Sequence, residues 1–573
     1  MYLKKTKNSM SGRTYLSIVR KYRQSGSEHS KTKTIRSLGY LDLLEKEYDD
    51  PIEFFKNIVE KMNKEENEKN TPKIIKIDSN SKLEIGDDKR KYFGYMILSK
   101  IYNNLKLEQF FNSRLRDVNT DYNINSIIKL LVYERILNPG SKKKAFENKH
   151  KYFDEMNFSL ENIYRTLSHV NKHIDKLQLW IHQNITNQYN RNTELVYYDV
   201  TNYYFESEKE TNLKKKGYSK EHKKTPIIQM GLFMDTLGIP IAYKLFEGNT
   251  PDVSTLRPMI NNIKIQNDYE LGKIIIVADR GIHGGDNIYY NLSAGNGYVL
   301  SKSIRGANKS FKDYVLDVSG YRENKDKTFK IKSRLYPREI YVTTKAGAKI
   351  KKTVHEKQVV YYSEKFAKRT KAERATTVAK ARDLAAKPSK YNKATSYGTA
   401  KYINNVVYDR DTGEILTPAN QLLFDEAKLK NEEKYDGYYS IVTSEHKKTD
   451  DEIIEIYRGL WKIEETFKIT KSDLETRPIY LSREDRIKSH FLICYISLVI
   501  LRILQHRIDN KYSVSKIIES IKSSQCSNTS ENQYTFDYYD EILDSFGTEL
   551  GLTLNNQFLT RKEIKNILGN TKK

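Results

Sequence analysis

The chain has 573 residues, and its 99 Lys and Arg against 74 Asp and Glu give a net charge of +25. A single core stops growing at roughly 250–300 residues, so several domains are expected, and the positive balance suits a polyanionic partner such as nucleic acid or an anionic membrane surface. The longest apolar run, Phe491 to Leu501, is short of the roughly 18 residues that cross a bilayer; the start MYLKKTKNSM has no apolar signal core and two cysteines are too few for a disulfide framework, so a membrane partner is set aside and a cytoplasmic protein is expected.

In chain order, GRTYLSIVRKYRQ and KTKTIRSLGYL read as strands, and DPIEFFKNIVEKMNKEE reads as a helix with Asp50 as N-cap and Pro51 at its first position. Residues 1–70 thus form a small α+β unit, and 71–90, polar and rich in turn residues, a linker. From 91 to 190 the pattern is helical: Ile124, Ile127, Ile128 and Leu131 recur at three and four, and Leu160, Ile163, Leu167 and Val170 do so after Ser159, an N-cap. His169 and His173 stand one turn apart without a third ligand and are not read as a metal site.

Residues 191–305 change character. The strand ELVYYDVTNYYFE is followed by TPIIQMGLFMD and IPIAYKLFEG, an antiparallel hairpin, then by a helix over VSTLRPMINNIKI, and then by KIIIVADRG, a fully apolar run suited to a strand buried on both faces. Strand, strand, strand, helix, strand is the order of a ribonuclease-H-like sheet. Asp199 sits in the middle of strand formers, against propensity, and Asp279 sits at a strand end, where functional groups gather in such sheets. Two carboxylates on neighbouring strands repel each other unless a divalent cation is present, and hard oxygen ligands suit Mg²⁺ or Mn²⁺ better than zinc.

A third carboxylate lies 185 positions beyond Asp279, too far for one connection, so residues 306–434 are an insertion domain and 435–510 a second part of the core. The insertion mixes strand-like KTFKIKSRL, REIYVTT and KQVVYYS with a basic helix from Glu364; YDGYYSIVTS returns to the core sheet. In DDEIIEIYRGLWKIEETFKITKSDL the apolar residues Ile453, Ile456, Tyr457, Leu460, Trp461 and Phe467 fall at helical spacing, which points Glu464 into the stripe and leaves Glu465 solvated beside lysines. Residues 511–573 read only as a polar tail.

The blocks VYYDVTNYYFE, GLFMDTLGIPIAYKLFEGNTPD, IVADRGI and YRGLWKIEETFKITKSDLETRPIY resemble, in the same order, the insertion-sequence transposases of the DDE type, in the branch with a Tyr-Arg-Glu-Lys signature. Tyr457, Glu464 and Lys471 match that signature, while its Arg position is Leu460, with Arg458 a turn-neighbour candidate. The resemblance covers about Val196 to Pro478 and, more weakly, the N-terminal strands. It implies an Asp199, Asp279, Glu464 triad on a ribonuclease-H-like α/β core, two Mg²⁺ or Mn²⁺ ions, and cleavage and joining of element ends. It also implies a helical DNA-binding bundle at 91–190, double-stranded DNA at element ends and target as partner, and a homodimer in the synaptic complex, in the cytoplasm at the nucleoid. Tyr457, Arg458 and Lys471, with Lys302 and Arg305 after the strand GYVLS, are the candidate DNA contacts. A nuclease or resolvase on the same fold, and a non-catalytic DNA-binding derivative, are the competing readings.

Overall fold

A computed structural model describes residues 1–7, 12–23, 30–69, 82, 84–116, 118, 120–218, 224–265, 269, 271–282, 284–344, 346–386, 400–404, 423–530 and 532–572. Most of the 71–90 linker and two stretches of the insertion domain lie outside the described residues. The chain divides into two compact units, Met1–Ile85 and Gly86–Lys573.

The first unit is an antiparallel meander of β1 (Tyr2–Lys7), β2 (Thr14–Arg23) and β3 (Ser30–Tyr40), followed by the helix Pro51–Lys69. Asp50 caps that helix, its carboxylate accepting the Glu53 amide at 3.0 Å. Leu16, Leu44 and Phe55 are the buried centre of the unit.

The second unit opens with β4 (Arg90–Tyr92) and the helices Tyr95–Asn104, Leu107–Arg114, Ile124–Leu137, Leu160–Val170 and Ile174–Tyr189. Ser159 forms a capping box with Asn162. The sheet that follows contains β5 (Leu195–Tyr204), β6 (Ile227–Met234), β7 (Pro240–Glu247), β8 (Ile275–Ala278) and β9 (Gly297–Ser301). β7, β6 and β5 are antiparallel neighbours, and β8 and then β9 continue in parallel with β5. This is the ribonuclease-H-like arrangement, with the helix Leu256–Ile265 between its third and fourth strands.

The insertion does not stand apart from the sheet. After β10 (Arg322–Glu323), β11 (Phe329–Thr343) and β12 (Lys349–Ser363) form a long hairpin; the helix Glu364–Ala386 and the short pair β13 (Ile403–Asn404) and β14 (Leu423–Phe424) follow, and β15 (Tyr438–Thr443) then pairs with both β12 and β9. Nine strands therefore run continuously in the order β10-β11-β12-β15-β9-β8-β5-β6-β7.

Alternate residues of each strand face opposite sides. Tyr197, Tyr203, Val277, Val299 and Ile441 point to the side covered by the C-terminal helices Asp450–Arg458, Trp461–Lys471 and Glu484–Arg507. Tyr198, Val200, Ile276, Ala278 and Leu300 point to the side covered by Leu256–Ile265 and Gly285–Ser293. The helix Glu484–Arg507 is long and apolar enough to cross a membrane by length and composition, but 94% of its most apolar window is buried inside the fold. It packs on Ile124–Leu137 and Leu160–Val170, so the N-terminal helices and the sheet enclose one continuous core.

The stretch from 511 is folded: Val514–Ser523, Glu541–Leu550 and Arg561–Asn570 are helices, and β16 (Gln525–Ser530), β17 (Gln533–Phe536) and β18 (Phe558–Thr560) make a second sheet in which β16 pairs with β4.

One buried ion pair joins the helices to the core. Arg191, between the last N-terminal helix and β5, meets Asp235 of the β6–β7 turn at 2.7 Å with both side chains at most 1% exposed. Arg191 also donates to the Pro240 carbonyl at 3.1 Å and contacts the His182 ring, whose pKa burial and the neighbouring guanidinium push down to about 4. Removing one partner of a buried pair leaves the other charge uncompensated, so Asp235→Ala should cost about 3–5 kcal/mol of stability in denaturant unfolding. Arg191→Ala should cost a similar amount.

Candidate active site

Tyr198 of β5 lies beside Ala278 of β8, so one residue further along both strands Asp199 and Asp279 fall next to each other. Both follow the alternation of Tyr197 and Val277 and face the C-terminal helices. Asp199 is half-buried, and the Val200 amide donates to its Oδ1 at 2.7 Å. Asp279 is exposed and accepts two hydroxyl donors at Oδ1, from Ser301 of β9 at 2.6 Å and from Tyr457 at 3.3 Å. Burial pushes the Tyr457 phenol well above its ordinary pKa, with the Asp279 charge adding to the shift and the Ser301 bond opposing it, so this hydroxyl is a proton donor throughout the physiological range.

The helices above this face are held by two tyrosines of β5 that flank Asp199. The Tyr197 hydroxyl donates to the Ile456 carbonyl at 3.1 Å, and the Tyr203 hydroxyl bonds Thr470 at 2.7 Å. Between these tethers the chain breaks at Gly459 into two helices, Asp450–Arg458 and Trp461–Lys471. Space demands glycine there, because a Cβ would overlap the Tyr197 hydroxyl and ring.

The break changes the expected facing of the acidic residues. Counting one helical stripe through the segment turns Glu464 inward and Glu465 outward, but the second helix starts a new register. Trp461 is 56% exposed, while Ile463, Thr466, Phe467 and Thr470 are buried. Glu464 is exposed in the first turn, where the helix N-terminus favours a carboxylate. Glu465 is half-buried and pairs at 2.8 Å with Arg502, itself 5% exposed. Glu465 therefore anchors the helix to Glu484–Arg507 and is no solvated bystander.

Glu464 and Asp279 act on a common neighbour. The Tyr439 phenol of β15 is raised first by burial and then by the charges of both carboxylates, with Arg280 and Arg369 opposing. Among the described residues no three His, Cys, Asp or Glu side chains stand close enough together to hold a metal ion. Strand register thus brings Asp199 and Asp279 together, while Glu464 is linked to Asp279 through their common effect on Tyr439.

The candidate DNA contacts divide by face. Lys471 lies half-buried two turns beyond Glu464, its ammonium 5.8 Å from the Tyr203 ring centre, and Arg458 pairs with Glu455 on the exposed side of its helix. Arg305 is 3.1 Å from Asp436. Lys302 is removed from the carboxylate face: Ser301 points to Asp279, so the next residue points to the other side, where Lys302 meets buried Glu356 at 3.5 Å. Ser301 and Tyr439 were not singled out by sequence; the only signal was that each lies in a strand bordering the expected site.

The sequence profile of the Transposase DDE domain matches residues 196–500, more than half of the chain. The chain belongs to the DDE transposases. The profile of the N-terminal domain of IS1634 family transposases matches residues 3–73 of this insertion-sequence transposase, the β1–β3 meander with its helix. A search of curated proteins finds no match. Among solved structures the transposase is similar to one chain of a piggyBac transposase synaptic complex with hairpin DNA, at 9% identity and a TM-score of 0.34, covering 84% of this chain and 83% of that one. DDE transposases cleave DNA and transfer strands, and in general use divalent metal ions.

The geometry around Gly459 and Glu465 can be probed directly. Gly459→Ala should destabilise the transposase by about 1–3 kcal/mol, the usual cost of overpacking, and lower strand cleavage by displacing the Glu464 helix; Tyr197→Phe, which removes the overlapping hydroxyl, should recover part of both. Glu465→Gln should lower the melting temperature by leaving Arg502 without its carboxylate, a loss of about 1–3 kcal/mol. If Glu465→Gln melts with the wild type, the Arg502 pair is not what anchors this helix.

Proposed function

We propose that Asp199, Asp279 and Glu464 are the catalytic acids with which this transposase cuts and joins DNA at insertion-sequence ends. The observation that carries the reading is the juxtaposition of Asp199 and Asp279 on adjacent parallel strands, with two hydroxyl donors already directed at Asp279. The donor set is all carboxylate oxygen, which fits a hard divalent cation. Asp199, Asp279 and Glu464 would hold two Mg²⁺ or Mn²⁺ ions, which when bound activate the attacking hydroxyl and stabilise the leaving oxygen of an in-line displacement at phosphorus.

The residues around the acids have separable tasks. Ser301 and Tyr457 fix the orientation of the Asp279 carboxylate, and the half-buried, protonated Tyr457 hydroxyl keeps that bond over a wide pH range. Glu464 completes the acidic set from the first turn of its helix, and the Tyr197 and Tyr203 tethers keep that helix over β5. Lys471 acts as a point charge on a DNA phosphate, with Tyr457, Arg458 and Arg305 as further contacts. The substrates are double-stranded DNA at the element ends and target DNA; the working form is a homodimer that pairs two ends, at the nucleoid in the cytoplasm.

Asp199→Asn, Asp279→Asn and Glu464→Gln keep shape and remove ligand charge, so each should abolish cleavage of end DNA in the presence of Mg²⁺ while leaving gel-shift affinity within a few-fold. Wild-type cleavage by any one of the three would strike that residue from the set. Lys471→Ala should weaken DNA binding and make its salt dependence shallower by about one phosphate contact, a change of roughly 0.9 in the slope of log K against log salt. A larger change in Arg458→Ala than in Lys471→Ala would show that Arg458 holds the phosphate.

A further inference from the structure

On the side of the sheet turned away from Asp279, β11 presents Lys330, Lys332, Arg334, Tyr336 and Arg338 at every second position. The strand period places them in one row about 7 Å apart, with a cation at every position but Tyr336. Their partners on β12 are Tyr362, Val360, Gln358, Glu356 and Val354. Glu356 is the one carboxylate among those partners. It is fully buried and is shared by Arg338 at 3.2 Å and by Lys302, which reaches in from the end of β9, at 3.5 Å. Gln358 accepts the Arg334 Nε at 2.9 Å and donates to Glu356 at 2.7 Å, which sets the plane of the guanidinium.

Aromatic rings do the remaining work of ordering these cations. Arg334 lies 3.8 Å from the Tyr314 ring centre and 4.4 Å from that of Tyr336, Lys302 lies 4.2 Å from Phe311, and Lys332 lies 4.4 and 4.3 Å from Tyr314 and Tyr321. A ring face attracts a cation without cancelling its charge. The row is therefore fixed in place and still positive. It borders a cleft of about 780 Å³ lined by Lys302, Asn308, Arg334, Tyr336 and Arg338; Glu339 at its rim is paired with Lys351 at 2.6 Å. Lys332 has a different task, with its ammonium on the carbonyls of Asp317 and Ser319.

We propose that this cleft binds the phosphodiester backbone of a DNA duplex segment other than the one at the acidic face. The proposal rests on the reading of this chain as a DNA-handling transposase. Three ordered cations along one cleft, Arg334, Arg338 and Lys302, fit a polyanion and exceed what one phosphate needs, and Arg334 and Arg338 present planar donor groups suited to phosphate oxygens. The sheet itself separates the cleft from Asp199 and Asp279, so the duplex held here is a second one.

The test uses the full-length protein and a random-sequence duplex of about 30 base pairs in a salt titration, comparing the wild type with Arg334→Gln/Arg338→Gln; removing two phosphate contacts should make the slope of log K against log salt shallower by about 1.8. A second measurement needs no variant: the duplex should shield Arg334 and Arg338 of the wild type from an arginine-directed dicarbonyl reagent, read by peptide mass spectrometry. An unchanged slope in a double variant that melts like the wild type overturns the proposal, and so does equal modification with and without DNA. If the double variant does not fold, the shielding measurement decides alone. Failure of the wild type to bind any duplex would sink the transposase reading as well, which separates the two.

Discussion

The acidic face is organised by the grip of β5 on the helices above it. Tyr197 and Tyr203 leave the same side of the strand as Asp199, one before it and one after, and each bonds a different helix of the broken segment. The Tyr197 ring occupies the place where any residue but glycine at 459 would carry a Cβ. The kink at Gly459 thus lies where the strand packs closest, and the kink decides which way Glu464 and Glu465 face. A strand that supplies one acid also sets the position of another that lies 265 residues later in the chain.

Burial and charge are divided differently on the two sides of the sheet. Toward the acids, Tyr457 and Tyr439 are kept protonated by burial and by the carboxylates they neighbour, so the local surroundings donate hydrogen bonds and add no negative charge. On the far side, tyrosine and phenylalanine rings hold lysine and arginine in place with one buried carboxylate among the partners on β12. The same residue type thus serves an acidic face by its hydroxyl and a basic face by its ring.

Much of the architecture was legible in the sequence because its signals are local. Asp199 amid strand formers, the apolar Ile274 to Val277 run before Asp279, the Ser159 cap and the Asp50–Pro51 helix start all describe their own neighbourhoods, and the structure places each as read. The facing of Glu464 was misread because helical periodicity assumes an unbroken helix, whereas the helix breaks at Gly459, where the ring of Tyr197, remote in sequence, packs. Lys302 is read from the sequence only as a candidate phosphate contact after GYVLS, and strand alternation from Ser301 turns it away from Asp279. The stretch after 511 gave little sign of strands because QCSNTS holds a single β-branched residue, Thr529, and no aromatic one; its pairing with Arg90–Tyr92 is what makes it a strand.

That last pairing has a consequence for synthesis. A chain leaves the ribosome N-terminus first, at about 5–20 residues per second, and β4 near residue 90 waits for β16 near residue 525. The acids appear in the order Asp199, Asp279, Glu464, and the helix that buries Arg502 against Glu465 follows them. An interrupted translation product that stops before Glu464 lacks both the third acid and the helix that seats it. The acidic face is thus assembled only once the chain has passed Arg507.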